Sequence, residues 1–159
     1  MNKVEKVLSL MREINRPGTE VLIDYINTSN YFTTAKCYSH HKYEGGLLDH
    51  SLEVQDAMLK NNYAGLSRES IIIAALFHDL GKATVNGKKF STNFHPIRSV
   101  QILKHCGYEL TMDEADAICG HHEANFNKPL RTLLRKADGI SFKVSRRKQK
   151  YIFGILKID

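Results

Sequence analysis

Apolar positions recur at helical spacing through most of this chain. The opening segment, MNKVEKVLSLMREINRPG, and the stretch EVLIDYIN after Thr19 both have helical character, with Pro17 and Gly18 between them. Tyr31 to Tyr43 has no such period and reads as a loop. The period returns from Leu47 to Asn61, where Leu47, Val54 and Met58 share a face. Ser67 is a fitting N-cap for a helix running to about Leu80, with Gly81 ending it. Its run IIIAALF is apolar on every side, which predicts a central, buried helix. Val85-Asn86-Gly87-Lys88 predicts a turn and a small β-hairpin near residues 85–92. Pro96 predicts a helix over His95 to Lys104. Thr111 with Glu114 predicts a capping box and a helix through about His122. Pro129 opens a last helix that reaches at least Asp138, and the C-terminal stretch fits helix or extended chain equally. The fold class expected is all-α: about seven helices and one hairpin, with 1–159 as a single domain.

Composition supports an ordinary globular domain, with 42% hydrophobic and 25% charged residues. A chain of 159 residues hides roughly 70% of its unfolded surface, so folding needs neither disulfide nor structural metal. The three cysteines, Cys37, Cys106 and Cys119, are odd in number and form no CxxC, which argues against a disulfide framework or a thiolate zinc site. A reducing, cytoplasmic setting is expected, and Cys106 and Cys119 read as core. The N-terminus has charges throughout and is no signal peptide; no apolar run approaches the roughly 20 residues of a membrane span. Net charge is +6, which suits an anionic partner. Part of it sits in Lys143 to Lys150 (KVSRRKQK), readable as a solvated helix face or as a phosphate-attracting patch. No aromatic interrupts that run, so it gives no stacking platform for bases.

The chemistry lies in eight histidines and a few aspartates. His50 is three residues after Leu47 and four before Val54, on their inward face. His78 and Asp79 close the most apolar helix. Burying an ionised carboxylate costs several kcal/mol unless it is paired or binds a metal. Leu130, Leu134 and Asp138 are spaced i, i+4, i+8, so Asp138 lies on the leucine stripe. His121 and His122 end a helix with an expected buried stripe of Ala115, Ile118 and Cys119, and His95 opens a helix beside Pro96. A lone buried histidine is usually just hydrogen-bonded; this many, at core-facing helix ends, point to a buried His/Asp metal site.

The order His50, then His78-Asp79 in LFHDLGK, then Asp138, resembles the HD superfamily of metal-dependent phosphohydrolases. His95 and GHHE (Gly120 to Glu123) are similar to its two-metal branch. HHKYEGGLLDHSLEV (His40 to Val54) resembles the HD domain of YhaM-type 3′–5′ exoribonucleases and some relaxase- and helicase-associated HD domains. YhaM-type proteins also carry an OB domain, for which the residues before the motif here are too few. The resemblance implies an HD-type helical bundle with His50, His78, Asp79 and Asp138 on a first metal. Asp79 would bridge to a second, held by His95 and His121. The ions would be two divalent cations, Mn²⁺, Fe²⁺, Co²⁺, Ni²⁺ or Zn²⁺, as suits mixed imidazole and carboxylate donors. Asp79 and Lys82 are the expected catalytic groups, with Lys82 supporting the metal site or the scissile phosphate. His41, Lys82, Arg98 and His122 are the expected substrate contacts, His122 being equally a candidate ligand.

The implied function is hydrolysis of a nucleotide, cyclic nucleotide or short oligonucleotide phosphoester by a metal-bound hydroxide. A regulatory module that binds nucleotide or nucleic acid without turnover, and a di-iron oxygenase, are the alternatives from other classes. No membrane partner is expected, and a homo-oligomer is left open. The sequence assigns neither the substrate nor the metal.

Overall fold

A computed structural model describes residues 1–35, 41–85, 92–123, 125 and 127–155. They form seven α-helices: α1 (Lys3–Ile14), α2 (Thr19–Thr28), α3 (Gly46–Lys60), α4 (Arg68–Phe77), α5 (His95–His105), α6 (Met112–Cys119) and α7 (Pro129–Ile155), with single 3₁₀ turns at Leu80–Lys82 and Thr92–Phe94. The expected hairpin falls on residues outside those described. Among the described residues no helix is long and apolar enough to cross a membrane.

Local chemistry accounts for the helix ends. Asn2 and Glu5 form a capping box on α1, as Thr111 and Glu114 do on α6. Ser67 caps α4 through the Ser70 amide, and Pro96 sits in the first turn of α5. The C-terminal stretch, ambiguous in sequence, continues α7 as far as Ile155.

α4 is apolar all round because it serves two cores. Ile72, Ile73, Leu76 and Phe77 pack with Leu22, Ile26, Leu103 and Ile118 in the larger cluster. Ile71, Ala74 and Ala75 pack with Val54, Met58, Leu130 and Leu134 in the smaller one. Each fully buried Ile or Phe contributes about 1.5–3 kcal/mol. α4 ends sooner than the sequence predicts, at Phe77 rather than near Leu80, and the 3₁₀ turn then carries Gly81. The fully buried Tyr31 donates its hydroxyl to the Leu76 carbonyl at 2.6 Å, satisfying an acceptor that the helix end leaves open.

α6 corrects two expectations. It ends at Cys119, so His121 and His122 follow in a turn. Its inward stripe is Glu114, Ala117 and Ile118, continuing to His121, and Cys119 is exposed. The stripe is rotated because Glu114 itself is buried. It accepts both Arg16 terminal nitrogens at 2.6 and 3.0 Å, the Ser70 hydroxyl at 2.7 Å and the Thr111 amide at 2.9 Å. Arg16 also bonds Glu69, so one guanidinium clasps the α1–α2 connection to the starts of α4 and α6. Burial alone would raise the Glu114 pKa, but the Arg16, Ser70 and Thr111 hydrogen bonds hold it below the usual carboxylate value.

Candidate metal centre

The C-terminal end of α4 is where both apolar clusters stop, and polar side chains from five segments meet there. α3 supplies His50, the end of α4 His78 and Asp79, the start of α5 His95, the turn after α6 His121 and His122, and α7 Asp138. His50, His78, Asp79 and His121 are at most 1% exposed. Asp138 and Lys82, with side chains 18% and 10% exposed, mark the open side.

Two glycines allow the elements to approach this closely. A Cβ on Gly81 would lie 2.2 Å from the His95 carbonyl oxygen, and one on Gly46 would lie 2.1 Å from that of His41. Ser99 reinforces the first approach: its hydroxyl accepts the Gly81 amide at 2.8 Å and lies 2.9 Å from the carbonyls of His78 and His95.

The carboxylate of Asp79 is split between two groups of imidazoles. Oδ2 faces Nε2 of His78 at 3.4 Å and of His50 at 3.7 Å. Oδ1 faces Nε2 of His95 at 2.8 Å and of His121 at 3.8 Å. Asp138 Oδ1 is 3.1 Å from His50 Nε2, and Lys82 Nζ is 2.7 Å from Asp79 Oδ2. His122 Nε2 lies 3.2 Å from His95 Nε2, so the structure brings His122 in beside His95 and His121.

The tautomers of these rings follow from their partners. His78 Nδ1 donates to the Ala75 carbonyl at 2.9 Å, and His121 Nδ1 to the Ile118 carbonyl at 2.8 Å. His50 Nδ1 meets the Ser141 hydroxyl at 3.0 Å, whose own proton goes to Glu53 at 2.8 Å. In each neutral ring Nε2 then carries only a lone pair. Yet the Nε2 atoms of His50 and His78 are 3.2 Å apart, and those of His95 and His121 are 3.4 Å apart. Between neutral His50 and His78 no proton is left to share, so that contact is not a hydrogen bond, whereas His95 Nε2, 2.8 Å from Asp79 Oδ1, is placed to donate to the carboxylate. Burial, then the nearby His78, pushes the His121 pKa down to about 3, so His121 itself stays neutral. Facing lone pairs around a carboxylate fit a cation. Three triads bring their donor atoms within 4.8 Å of one another: His50, His78 and Asp138; His78, Asp79 and His121; His95, His121 and His122. The residues present therefore fit a divalent metal group, with the two oxygens of Asp79 facing different triads.

Of the remaining expected residues, His41 borders this cluster. His41, with φ of 50°, is buried; its Nε2 lies 3.2 Å from Glu53, and its ring meets His50 edge-on at 5.3 Å. Arg98 stands beside the Tyr25 hydroxyl. Sequence reasoning missed Glu53 and Ser141, which support His50 from behind. Their signal was helical spacing, since each lies three residues after a site residue (His50 and Asp138). Arg131 gave no sequence signal. Arg131 is buried, donating to the Gly120 carbonyl at 2.8 Å and to Glu123 at 2.6 Å, so it pins the His121–His122 turn to α7.

Residues 47–144, well over half of the chain, match the HD domain family. This chain belongs to the HD domain family. The matched span takes in every residue of the three triads, and membership places the HD domain in the superfamily of metal-dependent phosphohydrolases. No curated protein and no solved structure gives a significant match.

Proposed function

We propose that this HD domain hydrolyses a phosphoester of a nucleotide, cyclic nucleotide or short oligonucleotide, using two divalent cations drawn from Mn²⁺, Fe²⁺, Co²⁺, Ni²⁺ or Zn²⁺. The observation that carries the reading is the set of inward-facing Nε2 atoms around the divided Asp79 carboxylate. His50, His78, Asp79 and Asp138 would hold one ion, and Asp79, His95 and His121 the other, with His122 available at the outer edge. Such ions supply Lewis acidity, bringing the pKa of water from about 15.7 toward 7 and drawing charge from a phosphoryl oxygen.

The side chains have separate tasks. Lys82 holds Oδ2 of Asp79 and places a positive charge at the open side, where a phosphoryl group gains negative charge. Ser141 and Glu53 fix the orientation of His50, and His41 adds to that support through Glu53. Five segments must stay in register, so the bundle's rigidity is part of the chemistry. The likeness of His40 to Val54 to YhaM-type enzymes supports a phosphodiester substrate.

The test is metal analysis of the native protein followed by hydrolysis assays over nucleoside mono- and triphosphates, cyclic nucleotides and short RNA and DNA. Metal-dependent turnover is expected. His78→Ala and Asp79→Ala each lose at least about 10³-fold, the scale of removing a group that stabilises transition-state charge. Silence of the metal-loaded wild type across the panel, with tight nucleotide binding, would replace this reading with that of a regulatory binding module.

A further inference from the structure

Charge is distributed very unevenly along this chain. α7 carries eight Lys and Arg against one acid, Asp138, a net charge of +7, while the whole chain totals +6. Everything outside α7 therefore sums to one negative charge. Within α7, Arg131 is buried and paired with Asp116 and Glu123, whereas Arg135, Lys136, Lys143, Arg146 and Arg147 are exposed. At 3.6 residues per turn these five fall within an arc of about 120° and along about 18 Å of helix axis.

Several exposed basic side chains elsewhere stand beside acids, Lys3 by Asp49, Arg12 by Glu20 and Arg68 by Glu13, and those that do not, such as Lys60 and Lys104, are scattered singly. None of the five on α7 makes an ion pair among the described residues. Like charges three and four residues apart, as in Lys143 with Arg146 and Arg147, cost a helix about 0.2–0.5 kcal/mol each. The row works against the helix that bears it, which calls for an external partner. We propose that this face of α7 is a docking surface for the phosphate backbone of a nucleic acid.

The spacing fits. Arg135 and Lys136 lie at one end of the row and Lys143, Arg146 and Arg147 at the other, about 10 Å apart along the axis, which matches about three axial steps of roughly 3.4 Å per phosphate on one strand of a duplex. Arg146 lies 5.5 Å from the Phe142 ring centroid, which helps to fix its direction. A lipid surface would require a broad apolar face beside the charges, and the exposed large apolar side chains described on α7 are only Ile140 and Val144. The nearest of the five lies about 60° around the helix from Asp138, so docking requires no metal.

The test is fluorescence anisotropy with the full chain in EDTA, using a labelled single strand of about 20 nucleotides and a duplex of the same length, between about 50 and 200 mM salt. Four or five phosphate contacts predict a slope of log K against log salt of about −3 to −4.5. K143E/R147E lowers affinity at least about tenfold and makes the slope shallower by about 1.5–2. K143Q/R147Q, which only neutralises the same positions, falls between, and circular dichroism checks that both remain helical. The tighter-binding probe identifies strand or duplex as the natural form. Unchanged affinity in both variants, absence of wild-type binding in EDTA, or preference for phosphatidylserine vesicles over both nucleic acids would overturn the proposal. None of these outcomes depends on hydrolysis, so the docking surface and the proposed activity can fail separately.

Discussion

At the scale of single residues, His50 depends on a hydroxyl that no motif marks. Ser141 accepts the His50 Nδ1 proton and passes its own to Glu53, so Nε2 is left as the donor atom facing the cluster. Ser141→Ala removes that acceptor while leaving every expected ligand in place. Metal affinity is expected to drop about 10- to 100-fold, the usual effect of losing a partner behind a ligating histidine. Competition titration with a chromogenic chelator measures it; unchanged affinity would show that packing alone orients the ring. The histidines and aspartates of the cluster were legible in the sequence because each falls at a helix end or on an apolar stripe, where a titratable group is out of place. Ser141 and Glu53 were not, because a serine or glutamate on a helix is unremarkable until the fold sets it beside an imidazole.

At the scale of elements, helix identities follow from capping and periodicity, while helix ends and faces need tertiary context. Thr111 with Glu114 and Ser67 mark true starts. The inward face of α6 could not be read correctly, because hydrophobicity favours Cys119 over a glutamate, and only the distant Arg16 makes burial of Glu114 affordable. The α4–α5 approach turns on one missing side chain. Gly81→Ala places a methyl 2.2 Å from the His95 carbonyl oxygen, so α5 must shift and carry His95 away from Asp79. Overpacking of this kind costs about 1–3 kcal/mol. The protein should still fold, with lower stability in urea and weaker binding of the second metal equivalent in calorimetry. Full retention of both would show that the turn can relax without moving the helix.

At the scale of the whole molecule, the Arg16–Glu114 clasp sets how the fold responds to acid. Glu114 has a lowered pKa in the folded state, so its contribution is complete above the unfolded value near 4.5 and is lost as pH falls through the folded value. Stability of the wild type should decline below that point, Glu114 adding a slope of at most about 1.4 kcal/mol per pH unit. Glu114→Gln should cost about 1.5–3 kcal/mol at neutral pH and flatten that decline, as read from urea unfolding at several pH values. An equally steep decline in the variant would assign the acid response to other groups. The division of the interior in two also orders events during synthesis. Among the described residues, the larger apolar cluster draws on none later than Ile118, whereas the smaller one lacks Leu130, Leu134 and Ala137 until α7 arrives. A chain emerging from the ribosome can therefore close most of its interior while α3 still has one flank open to water. Asp138 comes in with the segment that seals that flank, so ion capture and the last act of folding coincide.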